Sequence, residues 1–164
     1  MIFVVGGALL VFFCFAFVVF IGAPYLPTKK TQIEVALRLL SLKEGQRVLD
    51  LGSGDGIFLV EAAKKKVYVT GFEINPVLFI VSWLRILPYR KYASVKFGNY
   101  WLMEWPETDA VFVFLHDNFM KKLDKKMNIY SRGKRIKLAS FAFKIPGKKI
   151  NYSESGVYLY SYGS

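Results

Sequence analysis

Hydrophobic positions fall into two regimes along this chain. Residues 1–23, MIFVVGGALLVFFCFAFVVFIGA, are apolar or small throughout and carry no charge. From residue 24 onward, apolar residues alternate with polar ones at two different periods. In TQIEVALRLLSL, residues 31–42, Ile33, Leu37 and Leu40 recur at helical spacing, and Val35, Leu39 and Leu42 widen the stripe. That spacing predicts an amphipathic helix, with Thr31 and Glu34 as a capping box at its start. Pro24 and Pro27 ahead of it predict a non-helical connection. RVLDLG then reads as a buried strand, followed by a helix from about Ile57 to Lys65 and a second strand, VYVTGFE. A third helix opens at Asn75-Pro76, proline being suited to a helix start, and runs through VLFIVSWLRIL. The short strand ASVKFGN, the stronger strand DAVFVFLH, the basic helix NFMKKLDKKMN and the strands RIKLASFAF and GVYLYSYG complete the chain. No repeat is visible. Strands alternating with helices predict an α/β architecture, a parallel sheet wound by right-handed crossovers with helices on both faces.

Composition changes the picture at the amino terminus. A helix needs roughly 20 apolar residues to span a bilayer, and residues 1–23 supply them. A cleaved signal peptide is the competing reading, but it calls for a basic start and an apolar stretch of about 7–15 residues. No Lys or Arg precedes this longer run, so it is read as an uncleaved transmembrane anchor with the lipid bilayer as partner. Lys29 and Lys30 follow the run closely. Positive residues stay on the cytoplasmic side, which predicts a single-pass membrane protein with its soluble part in the cytoplasm and its amino terminus outside. Cys14 is the only cysteine, so no intrachain disulfide forms, in keeping with a reducing compartment. The remainder divides into a linker and helix, 24–44, and one domain, 45–164, since the length suits a single core. The net charge of +11 is spread over small lysine clusters. It fits nucleic acid, anionic lipid or a plain solvated surface. For an anchored chain the lipid reading needs no further partner.

The densest chemistry lies in VLDLGSGDGIF, residues 48–58, where Gly52, Gly54 and Gly56 follow a buried strand within five positions. In parallel sheets, ligands bind at the carboxyl ends of the strands, beside the point where strand order reverses. Gly52 suits a tight turn, Gly54 the approach of a ligand to the main chain, and Gly56 a helix that starts close to the strand. A nicotinamide dinucleotide site would show G-x-G-x-x-G and hold a pyrophosphate. Here Asp50 precedes the turn and Asp55 lies inside it, an arrangement that repels a pyrophosphate. Glu73 closes the second strand about 20 residues on, where a carboxylate takes ribose hydroxyls. Asp50, Asp55 and Glu73 together fit S-adenosylmethionine, which has cationic groups and a free ribose. No metal is expected.

These residues resemble a known group. VLDLGSGDG, with Asp50, Gly52, Ser53, Gly54, Asp55 and Gly56, and GFEINP, with Glu73, Ile74 and Asn75, are similar to the first two motifs of class I S-adenosylmethionine-dependent methyltransferases. The resemblance implies a Rossmann-like class I methyltransferase sheet and assigns those residues to the cofactor. Asn99, with Tyr100 in FGNYW, matches the position that family places beside the adenine. With PYLPTKKTQIEVALRLL included, the chain resembles the small membrane-anchored protein-lysine methyltransferases that act on the ATP synthase c-subunit and the adenine nucleotide translocase, and their bacterial relatives. His116 and Asp117 interrupt a fainter likeness to histone lysine methyltransferases that lack a SET domain. The N-P-P-Y/F signature of enzymes that methylate planar amines in bases or glutamine is absent, which counts against a DNA-adenine or glutamine target and makes nucleic acid an unexpected partner. No helix separates the last two strands, so a trimmed form of the family's seven-stranded sheet is expected.

Candidates near the transferred methyl are Tyr25 and Thr28 from the lead segment, and His116, Asp117 and Asn118 after the fourth strand. Each has a plainer reading. His116 also suits a structural hydrogen-bonder, Asp117 and Asn118 suit helix caps, and Tyr25 suits a membrane interface. The expectation is a membrane-anchored enzyme that methylates a lysine of a membrane or membrane-proximal protein. Its rivals are a methyltransferase acting on a lipid or quinone, and a non-enzymatic basic membrane module.

Overall fold

The computed structural model describes residues 29–163. The expected anchor at 1–23, with Tyr25 and Thr28, lies outside the described residues. Seven strands form one sheet: β1 (Arg47–Leu51), β2 (Tyr68–Glu73), β3 (Ala93–Phe97), β4 (Ala110–Val113), β5 (Ile136–Phe141), β6 (Tyr152–Glu154) and β7 (Val157–Tyr162). Their order is β3-β2-β1-β4-β5-β7-β6. The first five run parallel, with Asp50 opposite both Gly71 and Phe112. Strand order therefore reverses between β1 and β4, which opens a crevice at their carboxyl ends.

The far edge differs from the sequence expectation in two ways. β7 runs antiparallel between β5 and β6, so the sheet is mixed. β6 supplies a seventh strand, so the sheet is not trimmed. It pairs with β7 across Ser155 and Gly156, both at positive φ, which is the geometry of a tight hairpin. The expected lack of a helix before this hairpin holds among the described residues.

Helices α1 (Lys30–Leu40), α2 (Ile57–Lys64), α3 (Pro76–Ile86) and α4 (Met120–Tyr130) cover the sheet. On one face Ile33, Leu37 and Leu40 of α1 and Phe58 and Leu59 of α2 pack with Val48, Val69 and Phe112. Phe58 and Phe112 stack with centroids 4.2 Å apart. On the other face Met120, Leu123 and Met127 of α4 meet Leu49, Leu51, Val111, Val113 and Leu138. β1 is buried on both faces after Arg47, as the continuous apolar run requires.

The capping box does not form. Lys29 is the cap of α1 and contributes no side-chain bond, while the Thr31 hydroxyl bonds Gln32. The helix starts two residues too early for Thr31 to reach the free amides, and packing of its apolar stripe decides the start. At its other end Leu40 O accepts from Lys137 Nζ at 2.8 Å, beside the start of β5. α1 therefore runs opposite to the strands, and its first turn lies at their carboxyl ends. Among the described residues no helix is long and apolar enough to cross a membrane.

Candidate functional site

The chain leaves β1 through a turn strapped to its neighbour. Gly52 N and Ser53 N both donate to Phe72 O, at 3.0 and 2.8 Å. Gly52 sits at φ 89°, and the space a Cβ would occupy there is open. Gly56 caps α2 at φ 80°. A Cβ on it would lie 2.4 Å from Ser82 Oγ and 3.0 Å from Ser82 Cα. Gly56 thus makes room for α3, a different neighbour from the strand expected. Gly71 does the same for Ser53: a Cβ there would stand 2.7 Å from the Ser53 Cβ.

Glu73 joins this turn to the start of α3. Its Oε2 accepts from Gly54 N at 2.7 Å and its Oε1 from Asn75 N at 2.8 Å. Its own carbonyl accepts from Gly98 N at 2.9 Å. The ends of β1, β2 and β3 therefore meet at one residue. Asn75 caps α3, accepting from Val77 N and Leu78 N, with Pro76 beginning the helix. Ile74 lies half-buried between them.

Burial sets the electrostatics. It pushes the Asp50 carboxyl well above the usual carboxylate range, helped by the charges of Glu73 and Asp55. Burial also raises Glu73, opposed by the amides of Asn75, Gly54 and Ile74. Asp55 has a different place: one oxygen accepts from Ile57 N at 3.3 Å and the other pairs with Arg85 of α3. Among the described residues Asp55 alone of the three carboxylates has a basic partner. Sequence reading took the three carboxylates together as fitting the cofactor; in the structure Asp55 is the one that also pairs with Arg85. Arg85 went unnoticed because its link to Asp55 crosses 30 residues.

The loop after β3 forms the next wall. Asn99 Oδ1 accepts from Trp101 N at 2.9 Å, so its carboxamide oxygen shapes the loop. Tyr100 is buried, its ring 4.8 Å from that of Trp101, and burial together with Glu73 holds its hydroxyl protonated. Lys126 of α4 was missed by sequence reading. Its Nζ donates to Tyr100 O at 2.9 Å and Trp101 O at 3.0 Å and lies 4.6 Å from the Trp105 ring. In the sequence it reads as one more member of a basic helix, with no signal to separate it.

After β4, Leu115 is buried, and His116, Asp117 and Asn118 are exposed. His116 Nδ1 lies 2.6 Å from Asp117 Oδ1, which also accepts from Asn118 N at 2.8 Å. The pair thus builds the 3-10 turn Asp117–Phe119 that leads into α4. His116 is the cap of that turn, its Nδ1 accepting from Asn118 N at 3.5 Å, which is the structural hydrogen-bonding reading of His116. Asp117 lies inside the turn and Asn118 donates only its backbone N–H, so neither caps a helix. Beside them two aromatic pairs bridge the ends of β4 and β5: Phe114 with Phe141 at 4.7 Å, and His116 with Phe143 at 5.4 Å. The alternating phenylalanines of FVFLH and SFAFK were the available signal for this wall.

Several features fit S-adenosylmethionine. Each Glu73 oxygen accepts one amide and keeps a lone pair for a ribose hydroxyl. Ser53 Oγ and Asn75 Nδ2 are buried without a hydrogen-bond partner at the same turn. The open side of Gly52 admits a ligand to the main chain. Asp50 and Glu73 are buried carboxyls whose charged forms a bound cation would favour and a pyrophosphate would oppose.

Comparison with known proteins agrees with this geometry. A family model described as the ANTKMT methyltransferase domain matches residues 50–151. A mouse protein, named as the lysine N-methyltransferase of the ATP synthase c-subunit, is 32% identical over 149 residues, covering 85% of this chain and 60% of the relative. The chain thus spans about three fifths of that protein's length. A protein-lysine N-methyltransferase of Saccharolobus islandicus is 30% identical over 155 residues, covering 85% of this chain and 94% of the relative. Among solved structures, an RNA methyltransferase from Salinibacter ruber in complex with S-adenosyl-L-homocysteine superposes with a TM-score of 0.72 at 21% identity. It covers 84% of this chain and 92% of its own, a likeness of fold.

Proposed function

Because the chain belongs to the ANTKMT methyltransferase-domain family, we propose that it transfers a methyl group from S-adenosylmethionine to the side-chain amine of a protein lysine. The observation that carries this reading is Glu73, which holds the glycine turn and the start of α3 together while keeping acceptor capacity toward the crevice. The cofactor supplies an electrophilic methyl on a sulfonium. Glu73 receives the ribose hydroxyls, and the turn Gly52–Gly56 lets the cofactor lie against the main chain. Asp50 provides negative charge within the crevice, and Asn99 and Tyr100 flank the adenine.

The acceptor side faces the exposed segment after β4. A lysine attacks only as the neutral amine, and burial of an ammonium favours proton loss. His116, Asp117 and Asn118, beside Phe143, stand where the acceptor nitrogen would enter. The names of the mouse and Saccharolobus relatives support lysine over other acceptors. Tyr25 and Thr28 of the lead segment are assigned to the same entrance. Residues 1–23 are assigned to a membrane anchor with the catalytic domain on the cytoplasmic side, supported by their length and lack of charge. A tether near the bilayer raises the effective concentration of membrane protein substrates.

The test is incubation of the full chain, in mild detergent, with methyl-labelled S-adenosylmethionine and native membranes. Label recovered as methyl-lysine, and lost in Glu73→Ala, is expected. Each hydroxyl bond to a carboxylate contributes roughly 1.5–3 kcal/mol. Two of them convert to a loss of cofactor affinity of at least about a hundredfold. Label on adenine or lipid, or label unaffected by Glu73→Ala, would refute the assignment.

A further inference from the structure

α3 leaves part of its apolar surface uncovered. Of its residues PVLFIVSWLRI, Leu78, Ser82 and Ile86 are buried, Ser82 against the glycine turn, while other large apolar side chains face solvent. Ile80 is 55% exposed, Trp83 48% and Leu84 53%, with Leu87 continuing the stripe one turn later. That spacing gives a single helical face. Phe97, at the end of the edge strand β3, is 54% exposed and reaches the same helix through Phe79, 5.4 Å away. Leu102, in the loop that leaves β3, is 86% exposed. Exposed apolar surface of this extent marks a partner or a membrane.

Charge and chain geometry choose between occupants. Residues 74–103 contain Arg85, Arg90, Lys91 and Lys96 and no Asp or Glu. Arg85 is paired with Asp55, while Arg90, Lys91 and Lys96 are exposed on the segment that runs from the end of α3 through β3. Apolar side chains including a tryptophan, with basic residues on the same segment, match the boundary between acyl chains and anionic headgroups. The start of α1 lies at the carboxyl ends of the strands, the end to which Phe97 and Leu102 belong. Residues 24–29 reach at most about 20 Å when extended, so a run 1–23 seated in a bilayer holds that end of the sheet close to the membrane surface.

We propose that the outward face of α3, with Phe97 and Leu102, docks on an anionic lipid surface beside the mouth of the cofactor site. From the proposed function this takes only the entry of residues 1–23 into a bilayer, and it is independent of methyl transfer. Docking at two places fixes the orientation of the domain, so the crevice opens along the membrane rather than away from it. An acceptor side chain at the headgroup level is then presented to the crevice directly.

The test uses the full chain reconstituted into phosphatidylcholine vesicles, with and without phosphatidylglycerol, whose acyl chains are brominated. Tryptophan emission is expected to be quenched in the mixed vesicles. Most of that quenching is lost in Trp83→Phe, and it falls on adding salt or in the pair Arg90→Glu, Lys91→Glu. Cofactor titration of the same variants shows whether the fold is retained, separately from lipid contact. A chain that floats with the vesicles while Trp83→Phe leaves the quenching unchanged overturns the proposal, whether residues 1–23 or a second copy cover the face instead. A detergent-soluble dimer dispersed by Ile80→Glu would identify the second copy. Equal quenching with and without phosphatidylglycerol refutes the anionic requirement. A chain that floats with neither vesicle refutes the anchor and the docking face together, and leaves cofactor binding to be judged by titration.

Discussion

Gly56→Ala tests how the cofactor turn is seated against α3. The geometry imposes two separate costs. At φ 80° an alanine is held in the left-handed region, which costs roughly 1–2 kcal/mol. Its Cβ would also stand 2.4 Å from Ser82 Oγ and 3.0 Å from Ser82 Cα. The hydroxyl can rotate away, but the helix backbone cannot, so α3 must shift; overpacking of this kind costs about 1–3 kcal/mol. Alanine recovers about 0.4–1 kcal/mol by restricting the unfolded chain. The net expectation is a loss of about 2–4 kcal/mol, read by urea denaturation of the full chain in mild detergent with tryptophan emission as probe. Ser82→Ala separates the two costs. Ser82 Oγ is buried without a partner, so its removal alone is expected to be neutral or mildly stabilising. Combined with Gly56→Ala it relieves the closest contact, and the two changes should couple favourably by roughly 0.5–3 kcal/mol. Strict additivity would refute the contact between turn and helix. A Gly56→Ala chain within about 0.5 kcal/mol of the parent would refute the whole account of why the turn needs glycine there.

The charges give two further expected outcomes. Asp50 and Glu73 have raised carboxyl values in the folded chain. A raised value means the folded state holds the proton more tightly, so this stabilisation is complete below the ordinary carboxylate range and is lost as pH rises through the raised values. The cofactor-free chain should therefore melt higher as pH falls from neutral toward that range, and Asp50→Asn should flatten the slope while weakening cofactor binding. A parent slope equal to that of Asp50→Asn would contradict the buried charge. Lys126→Met removes two bonds to the Tyr100 and Trp101 carbonyls. It should speed hydrogen exchange at Trp101–Met103 and weaken cofactor binding by about tenfold, about 1.4 kcal/mol; unchanged exchange would show the lysine to be merely adjacent.

The cofactor end of this protein is legible in the amino-acid order because that end is built from short-range chemistry. Asp50, Gly52 and Glu73 mark strand ends and turns within single βαβ units, and there local backbone demands and ligand demands coincide. Features that depend on contacts between distant segments emerged only with the folded chain. Ser82 faces Gly56, Arg85 pairs with Asp55, and Lys126 holds the loop after β3. None of these pairs shares a periodicity that a sequence displays. The hairpin of β6 and β7 was equally hidden, because a three-residue strand has too few positions for alternation to show. The uncovered outer face of α3 was hidden too: the sequence shows that VLFIVSWLRIL is hydrophobic, and only packing reveals which side of it is covered.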